Sequence, residues 1–394
     1  MAGNSVTKVS RQSWFSRLGN AIKGIVVGFV LFVLAFPLLW WNEGRAVTTY
    51  KSLREGAAAV VSVSAEQADP ANEGRLVHMT GKAVTDDILA DAQFGVSVNA
   101  IKLQRTVEMY QWRERKSSST QKRVGGSTET TETFTYEKTW SSSPIDSSPF
   151  QDAAGHRNPG SFPYQSVTRV ADNVTVGAFK LNSSLIGSIG NFRPLEVTAK
   201  DGLPPDLAEK TMVHEGGYYI GANPADPQIG DMRVTFAQCP PTEVSLIARQ
   251  IGNTFEPYQT EAGRALQMLN TGVHSADSMF EQAQAANVRT TWLLRAAGFV
   301  LMWVGLGLVF GLLSVLADVL RILGNIVGAG VKLITLLVAG MLSFLTIALA
   351  WIYYRPVLGI GLLVVAIALA TVVIKKLKQA KAPATAPAPE AAAG

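Results

Sequence analysis

The long apolar segments constrain this chain more than any other feature of its sequence. One segment, 24–41, lies near the start, whereas three more lie close together near the end, at 296–317, 333–353 and 357–374. Each comes close to the roughly 20 apolar residues that a helix needs to cross the ~30 Å hydrocarbon core of a bilayer. We therefore expect four transmembrane helices, one before and three after the polar region at 42–295.

Basic residues at the two ends predict how the chain is oriented. They are Lys8, Arg11, Arg17 and Lys23 before the first apolar segment, and Lys375, Lys376, Lys378 and Lys381 after the last. Basic flanks are retained on the cytoplasmic side, so residues 1–23 and 375–394 are predicted to be cytoplasmic, the latter with a disordered Ala/Pro-rich tail. An even number of crossings agrees with this. Residues 42–295 would then face outward, into the periplasm of a bacterium or an organelle lumen of a eukaryote.

The net charge of the chain is unevenly distributed. The whole chain carries +5, from 35 basic and 30 acidic residues. Residues 46–290 contain 22 basic and 27 acidic residues, which gives this region a net charge of −5. The basic excess therefore belongs to the membrane flanks. This pattern predicts contact with anionic lipids at the cytoplasmic face and not with nucleic acid.

The polar region has the pattern of β-strands. Alternating or β-branched and aromatic runs indicate strands at 58–64, 76–83, 101–112, 134–140, 195–199, 232–237 and 244–250. Residues 117–133 are predicted to form an exposed hairpin tip or loop, and 275–294 a helix that leads into the second apolar segment. Residues 318–332 would form an interfacial helix or a helical extension of a neighbouring span. The predicted fold is a membrane protein of the α+β class: four transmembrane helices, one N-terminal and three C-terminal, with a β-rich extracytoplasmic domain inserted between the first and second.

No motif in the sequence indicates catalysis, a cofactor or a metal site. The four histidines form no metal-ligand pattern, and no nucleophile elbow, phosphate-binding loop or dinucleotide fingerprint is present. If the domain were an enzyme, Asp146, Asp152 and His156 would be the least poor candidates. The single cysteine, Cys239, is expected to be buried and unreactive, with a bridge between subunits as the alternative. A channel or transporter is disfavoured because the interiors of the apolar segments contain no ionisable residue.

The residues that follow the first apolar segment indicate an ion pair. In Trp41-Asn42-Glu43-Gly44-Arg45, Gly44 suits the left-handed position after a helix, and Glu43 opposes the helix dipole. Glu43 is therefore predicted to pair with Arg45 or with Arg295, which lies at the same interface. The alternative is that both side chains simply extend toward water.

Three further patterns concern packing. Small residues four apart, which allow close helix contacts, occur at Gly24 and Gly28 and at Gly307 and Gly311. Glu108, Tyr110 and Trp112 share one face of a predicted strand, and such an aromatic stripe is more often core packing than a binding surface. Asn158 precedes a proline and is restricted to extended conformations.

Four motifs together resemble a known family. They are Trp41–Arg45, Leu103–Trp112, the group Tyr136–Trp140, Ile145–Ser147, Phe150 and Gly155–Pro159, and Ile229–Val234. In this order, with one span before and three after, the chain resembles the LUMA family of four-span membrane proteins. The resemblance covers nearly the whole chain, except the first 20 residues and the Ala/Pro-rich tail.

The resemblance implies a scaffold rather than an enzyme, without cofactor or metal. Animal members of the family oligomerise, bind other membrane proteins including emerin and lamins, and carry a luminal loop. The Ala-rich composition and the tail of this chain look bacterial, which implies an inner-membrane scaffold with a periplasmic domain. The residues expected to serve packing or interaction are Glu43, Arg45, Glu108, Tyr110, Trp112, His156, Asn158, Asp231, Arg233 and Arg295. Expected partners are lipids, other membrane proteins and further copies of the chain.

Overall fold

The fold is known from a computed structural model that describes residues 5–123, 125–200, 202–317, 321–361 and 364. It divides into two compact units. The β-rich unit comprises Met1–Ile22, Thr48–Arg289 and Leu312–Gly328, and the helical unit comprises Lys23–Val47, Thr290–Gly311 and Ala329–Gly394.

The helices include the longest elements of the chain. They are α1 (Trp14–Ala59), α2 (Ser183–Ser188), α3 (Pro205–Ala208), α4 (Ala276–Ala317) and α5 (Arg321–Tyr354). Within the described part of the chain, three stretches are long and apolar enough to cross a membrane, namely Trp14–Ala59, Ala276–Ala317 and Val327–Tyr354. They contain the first three predicted spans. Residues 356–361 are also helical, but most of the fourth predicted span, 357–374, lies outside the described residues, as does the predicted disordered tail.

Helix α1 continues past the point where the sequence predicted its end. It begins after Ser13, whose Oγ accepts a hydrogen bond from the Ser16 N–H, and runs unbroken through Gly44 to Ala59. The left-handed conformation predicted for Gly44 is therefore wrong. The absence of a side chain at Gly44 instead allows close packing of Tyr354, because a Cβ there would lie 2.6 Å from Cζ of Tyr354. Residues 321–332 of the predicted link are likewise helical and continuous with the third span.

The strands form two main sheets. They are β1 (Ser5–Gln12), β2 (Val61–Ser62), β3 (Leu76–Val84), β4 (Ile88–Asp91), β5 (Val96–Asn99), β6 (Lys102–Lys122), β7 (Thr128–Ser141), β8 (Val167–Val170), β9 (Thr175–Val176), β10 (Phe179–Lys180), β11 (Arg193–Leu195), β12 (Thr211–His214), β13 (Gly217–Ile220), β14 (Met232–Cys239), β15 (Thr242–Ile251), β16 (Thr254–Glu256), β17 (Tyr258–Gln259), β18 (Ala265–Leu266) and β19 (Met268–Thr271). The first sheet has the order β1-β7-β6-β14-β13-β12 and the second the order β10-β9-β3-β15-β16.

One hydrophobic core joins the two sheets. It contains Val107 and Val234 from the first sheet and Val77 and Leu246 from the second, all fully buried. In β6 and β14 these residues alternate with polar ones, whereas β3 and β15 contain runs of consecutive buried residues. Both patterns are typical of strands, which is why the sequence predicted a strand at each of these four places. Two predictions were wrong in part: residues 58–59 end α1, and the strand predicted at 195–199 extends only to Leu195.

The segment predicted as a loop at 117–133 is mostly strand. Strand β6 continues to Lys122 and β7 begins at Thr128, with these two residues paired. Strand β1 adds to the outer edge of β7, from Ser5 opposite Thr135 to Gln12 opposite Thr128. We call the three-stranded extension formed by β1, residues 113–122 of β6 and residues 128–137 of β7 the arm.

Candidate functional site

Strands β6, β7 and β14 bring several predicted residues together on the outer face of the first sheet. Glu108 lies opposite Arg233 on β14, and Tyr110 lies opposite Trp140 on β7. Glu108, Tyr110 and Trp112 are half-buried, whereas their neighbours on the opposite face belong to the core. The prediction that this aromatic stripe is core packing is therefore wrong, because the stripe lies on the face that turns away from the core.

An ion pair and an aromatic ladder run across this face. Arg233 Nε donates to Glu108 Oε2 over 2.5 Å. The guanidinium of Arg233 lies 4.8 Å from the centre of the Trp140 ring, and that ring is 5.1 Å from the ring of Tyr110. Since both partners of the ion pair are partly exposed, its own contribution to stability is small, at about 0–1 kcal/mol. The arrangement chiefly fixes the orientation of Arg233 against Trp140.

Asp231 holds the adjoining loop in place. The hydroxyl of Tyr219 donates to Asp231 Oδ2 over 2.6 Å, and the Gln228 N–H donates to the same oxygen over 2.8 Å. Gly221 leaves room for this carboxylate, because a Cβ there would lie 2.5 Å from Asp231 Oδ1. Burial, together with the hydrogen bond to Asp231, raises the pKa of Tyr219, so that the phenol stays neutral.

A cavity of about 380 Å³ lies on the outer face beside these strands. We call it the outer cleft. Its lining includes Glu108, Trp140, His214, Glu215, Tyr219 and Arg233. Trp140 and Tyr219 were not among the predicted site residues. The Gly125-Gly126 turn could have identified Trp140, because a hairpin centred there places residue 110 opposite residue 140.

Asn158 and His156 serve a structural purpose beside the same strand. Asn158 Oδ1 accepts from the Trp112 N–H over 2.7 Å, while its Nδ2 donates to the carbonyls of Trp112 and Ile145. The buried ring of His156 stacks on Tyr136 at 3.7 Å and meets the edge of Trp112 at 4.7 Å. Both residues thus fix the segment around residues 145–158 against β6 and β7.

Of the three candidate catalytic residues, only His156 and Asp152 lie close together. His156 Nδ1 lies 3.2 Å from Asp152 Oδ2, whereas Asp146 Oδ1 accepts a hydrogen bond from the Ser148 N–H over 2.9 Å. Hydrogen bonding with the side chain and the N–H of Ser148 lowers the pKa of Asp146. The side chain of His156 is only 1% exposed, which does not suit a general base that has to reach a substrate. Within the described residues, no group of three or more His, Cys, Asp and Glu side chains is placed to hold a metal ion.

Cys239 is fully buried, as predicted. It lies opposite Lys102 on β6, and burial raises the pKa of its thiol. Lys102 Nζ donates to the carbonyls of Gly187 and Ile189 over 2.8 and 2.6 Å, and burial lowers the pKa of this amine. A buried thiol with a raised pKa is a poor nucleophile and a poor candidate for a bridge between subunits.

A second cluster lies in the helical unit, where Glu43 pairs with Arg295. Glu43 Oε1 accepts from Arg295 Nε over 2.7 Å, and Glu43 Oε2 accepts from Arg295 Nη2 over 2.9 Å and from Trp351 Nε1 over 2.7 Å. Of the two predicted partners, Arg295 is thus the one that binds Glu43. Arg45 instead donates to Thr291 Oγ1 over 2.9 Å. Residues from α1, α4 and α5 meet at this carboxylate.

Comparison with known proteins gives a consistent result. The family model described as Transmembrane protein 43 matches residues 109–356. Transmembrane protein 43 of Rattus norvegicus is 37% identical over 363 residues, which cover 89% of each chain. The Homo sapiens protein is 36% identical over 359 residues, 88% of each chain. The Drosophila melanogaster homolog is 32% identical over 347 residues, 86% of this chain and 90% of the relative. No solved structure matches.

Proposed function

Since the chain belongs to the transmembrane protein 43 family, the family also called LUMA, we propose that it is a non-enzymatic, self-associating membrane scaffold. It is a multi-pass integral membrane protein with a β-rich region between its first and second long helices. We propose that this region organises other membrane proteins or lipids, and that anionic lipids bind the basic flanks at the cytoplasmic face.

The continuity of the long helices is the observation that carries this proposal. Helix α1 has 46 residues and α4 has 42, which at 1.5 Å per residue gives lengths of about 69 and 63 Å. Both exceed the ~30 Å of hydrocarbon that they have to cross. Each helix therefore continues from its apolar segment to the β-rich region without a flexible linker. Uninterrupted helices before and after the β-rich region suit a domain that positions partners.

The charge distribution supports an outward-facing β-rich domain. A bacterial source is not supported by the relatives, which are animal proteins. A luminal domain in the endoplasmic reticulum or inner nuclear membrane is compatible with them. We therefore propose that the domain lies in the lumen of a eukaryotic membrane system.

Self-association can be tested with two tagged copies of the full chain. We expect one copy to capture the other when both are expressed in the same cells and extracted with surrounding lipid. Membranes from separately expressing cells, mixed before extraction, provide the control for association after lysis. The lipid-enclosed particles should have a protein mass of two or more times 42.2 kDa. Particles that contain a single chain only would contradict the proposal.

A further inference from the structure

The outer cleft has the size and position of a small-molecule site. Its volume of about 380 Å³ falls within the ~300–1,000 Å³ that is usual for ligand pockets. Its walls come from strands β6, β7, β13 and β14 and from the turn between β12 and β13. Since these strands are hydrogen-bonded neighbours in one sheet, the walls are held rigidly relative to one another.

Two aromatic rings form one side of the cleft. The rings of Trp140 and Tyr219 lie 6.2 Å apart with their planes at 76°. Tyr219 is almost fully buried and its hydroxyl is engaged by Asp231, whereas Trp140 is half-buried. The exposed part of the indole offers an apolar surface on which C–H groups can pack.

Polar groups with unused hydrogen-bonding capacity adjoin this surface. Arg233 donates to Glu108 through Nε, and within the described residues its two Nη groups and Glu108 Oε1 make no other hydrogen bond. The cleft therefore presents donors and an acceptor next to the indole ring. These groups are already oriented by their ion pair and by the contact of Arg233 with Trp140.

A strained turn brings a further carboxylate to the cleft. Glu215 has φ of +49°, the only positive φ of a non-glycine residue in the described part of the chain, and Gly216 follows with φ of +74°. The two residues join β12 to β13 in the conformation of a type I′ turn, where asparagine and glycine are usual. Glu215 and the preceding His214 both line the cleft, and their side chains are 79% and 41% exposed.

The charges around the cleft restrict the class of ligand. A cation is disfavoured because the positively charged guanidinium of Arg233 lines the cleft and would repel it. An anion is disfavoured because Glu108 and Glu215 both line the cleft. A neutral ring with apolar C–H faces and several hydroxyl groups matches both the indole surface and the free donors and acceptor.

We propose that the outer cleft binds a neutral saccharide ring, as a single hexose or as one unit of a glycan. The indole of Trp140 would pack against the C–H face of the sugar, and Arg233 and Glu108 would bind its hydroxyl groups. This site goes beyond the scaffold proposal and does not depend on self-association, because all of its lining residues come from one chain.

The test is saturation-transfer NMR on the full chain in lipid nanodiscs free of glycoside detergents. The probes are methyl glucoside, methyl galactoside, methyl mannoside and N-acetylglucosamine, with choline and adenosine monophosphate as charged comparators. We expect transfer to the ring protons of at least one saccharide and none to either comparator. Trp140→Ala should weaken binding about fivefold or more, whereas Trp140→Phe, which keeps an aromatic face, should weaken it less.

Two further variants separate binding from folding. Trp292→Ala removes an exposed tryptophan of α4 outside the cleft and should leave saccharide binding unchanged. Arg233→Gln should weaken binding even if Trp140→Ala does not fold. The proposal is overturned if no saccharide gives a signal, if only choline or the nucleotide does, or if both cleft variants bind as the parent chain does.

Discussion

At the scale of single residues, the carboxylate of Glu43 has the most demanding environment. It is 1% exposed and accepts three hydrogen bonds, two from Arg295 and one from Trp351. Arg295 in turn lies against the rings of Trp292 and Trp351, at 4.8 and 5.5 Å. Taking a charge out of water is costly, and only a fully hydrogen-bonded partner compensates for it. Because both charges are buried, each of Glu43 and Arg295 needs the other to compensate for its lost hydration.

We expect Glu43→Gln to destabilise the protein by about 3–5 kcal/mol, because it leaves Arg295 buried without its counter-charge. Thermal unfolding in detergent measures this change. Glu137→Gln is the matched control, since Glu137 pairs with Arg115 at the surface, where an ion pair contributes about 0–1 kcal/mol. Equal unfolding temperatures for Glu43→Gln and the parent chain would show that the pair does not hold the helices together.

Glu215 allows a residue-scale prediction of the opposite sign. A non-glycine residue in the left-handed region costs roughly 1–2 kcal/mol, and asparagine tolerates this region better than glutamate. Glu215→Asn should therefore stabilise the β-rich unit by about 0.5–1 kcal/mol, measured by chemical unfolding. Glu66→Asn, at an exposed bend, should change stability by less than about 0.5 kcal/mol. Destabilisation by Glu215→Asn would mean that the glutamate side chain makes a contact worth more than the strain.

At the scale of elements, one pair of glycines sets the crossing of α1 and α4. A Cβ on Gly28 would lie 2.6 Å from the Gly305 carbonyl oxygen, and one on Gly305 would lie 2.7 Å from the Gly28 carbonyl oxygen. The prediction of a close contact was thus right for Gly28. It was wrong for Gly307 and Gly311, where such a Cβ would have no atom of another helix within 4 Å. Gly305, which faces Gly28, was missed because spacing alone does not show which side of a helix meets its neighbour.

This crossing predicts opposite effects for two alanine substitutions on one helix. Gly305→Ala should destabilise the helical unit by about 1–3 kcal/mol, because the backbones have to separate to admit the methyl group. Gly307→Ala meets open space and should be neutral or stabilising by up to about 1 kcal/mol, since alanine is the better helix former. Thermal unfolding in the same detergent compares them. Equal effects of the two substitutions would exclude a close backbone contact at Gly305.

The arm shows how far the sequence could be interpreted. Strands such as β14 were predictable because apolar residues alternate there, whereas 117–133 contains serine, threonine and charged residues on both faces. Its strand character depends on β-branched threonines and on cross-strand ion pairs such as Lys116 with Glu132, neither of which produces an apolar pattern. Similarly, Glu43 could be predicted to pair, but the contribution of Trp351 depends on helix crossings that local sequence does not encode.

Glu129 makes part of the arm sensitive to pH. It accepts hydrogen bonds from Arg123 and from Arg11 of β1, and these hydrogen bonds lower the pKa of its carboxyl group. A lowered pKa in the folded state gives stability that is present above the unfolded value of about 4.3 and is lost as pH falls through the folded value. Hydrogen-exchange protection of residues 5–12 should therefore decrease below about pH 4. Glu129→Gln should have low protection already at neutral pH and a weaker pH response, and an identical pH profile would contradict this role.

At the scale of the whole molecule, the arm and the basic residues imply different membrane topologies. Positive charge predicts that residues 1–23 are cytoplasmic and that 42–295 lie on the other side. A single crossing by α1 separates these two regions whichever way the chain is inserted. Yet β1 pairs with β7 along eight residues, and a hydrogen-bonded ladder requires both strands in one compartment. The ladder and a simple crossing by α1 therefore exclude each other.

A disulfide between β1 and β7 decides between them. In a Cys239→Ala background, Val9→Cys and Thr131→Cys occupy paired positions, where Cα atoms about 4.5–5.5 Å apart suit a disulfide. Val9→Cys with Thr135→Cys is the control, because an offset of four residues adds about 13 Å. If β1 and β7 of one chain are paired in the membrane, mild oxidation of intact membranes links only the first pair. A link in the first pair alone would place the amino terminus and the arm on the same side of the membrane. The basic residues before α1 would then not lie on the side opposite the arm. The charge-based orientation would hold if no link forms and if a second experiment agrees with it. In that experiment a cysteine that replaces exposed Gly160 would be labelled only from outside the cytoplasm. Strand β1 would then be free to pair with another chain.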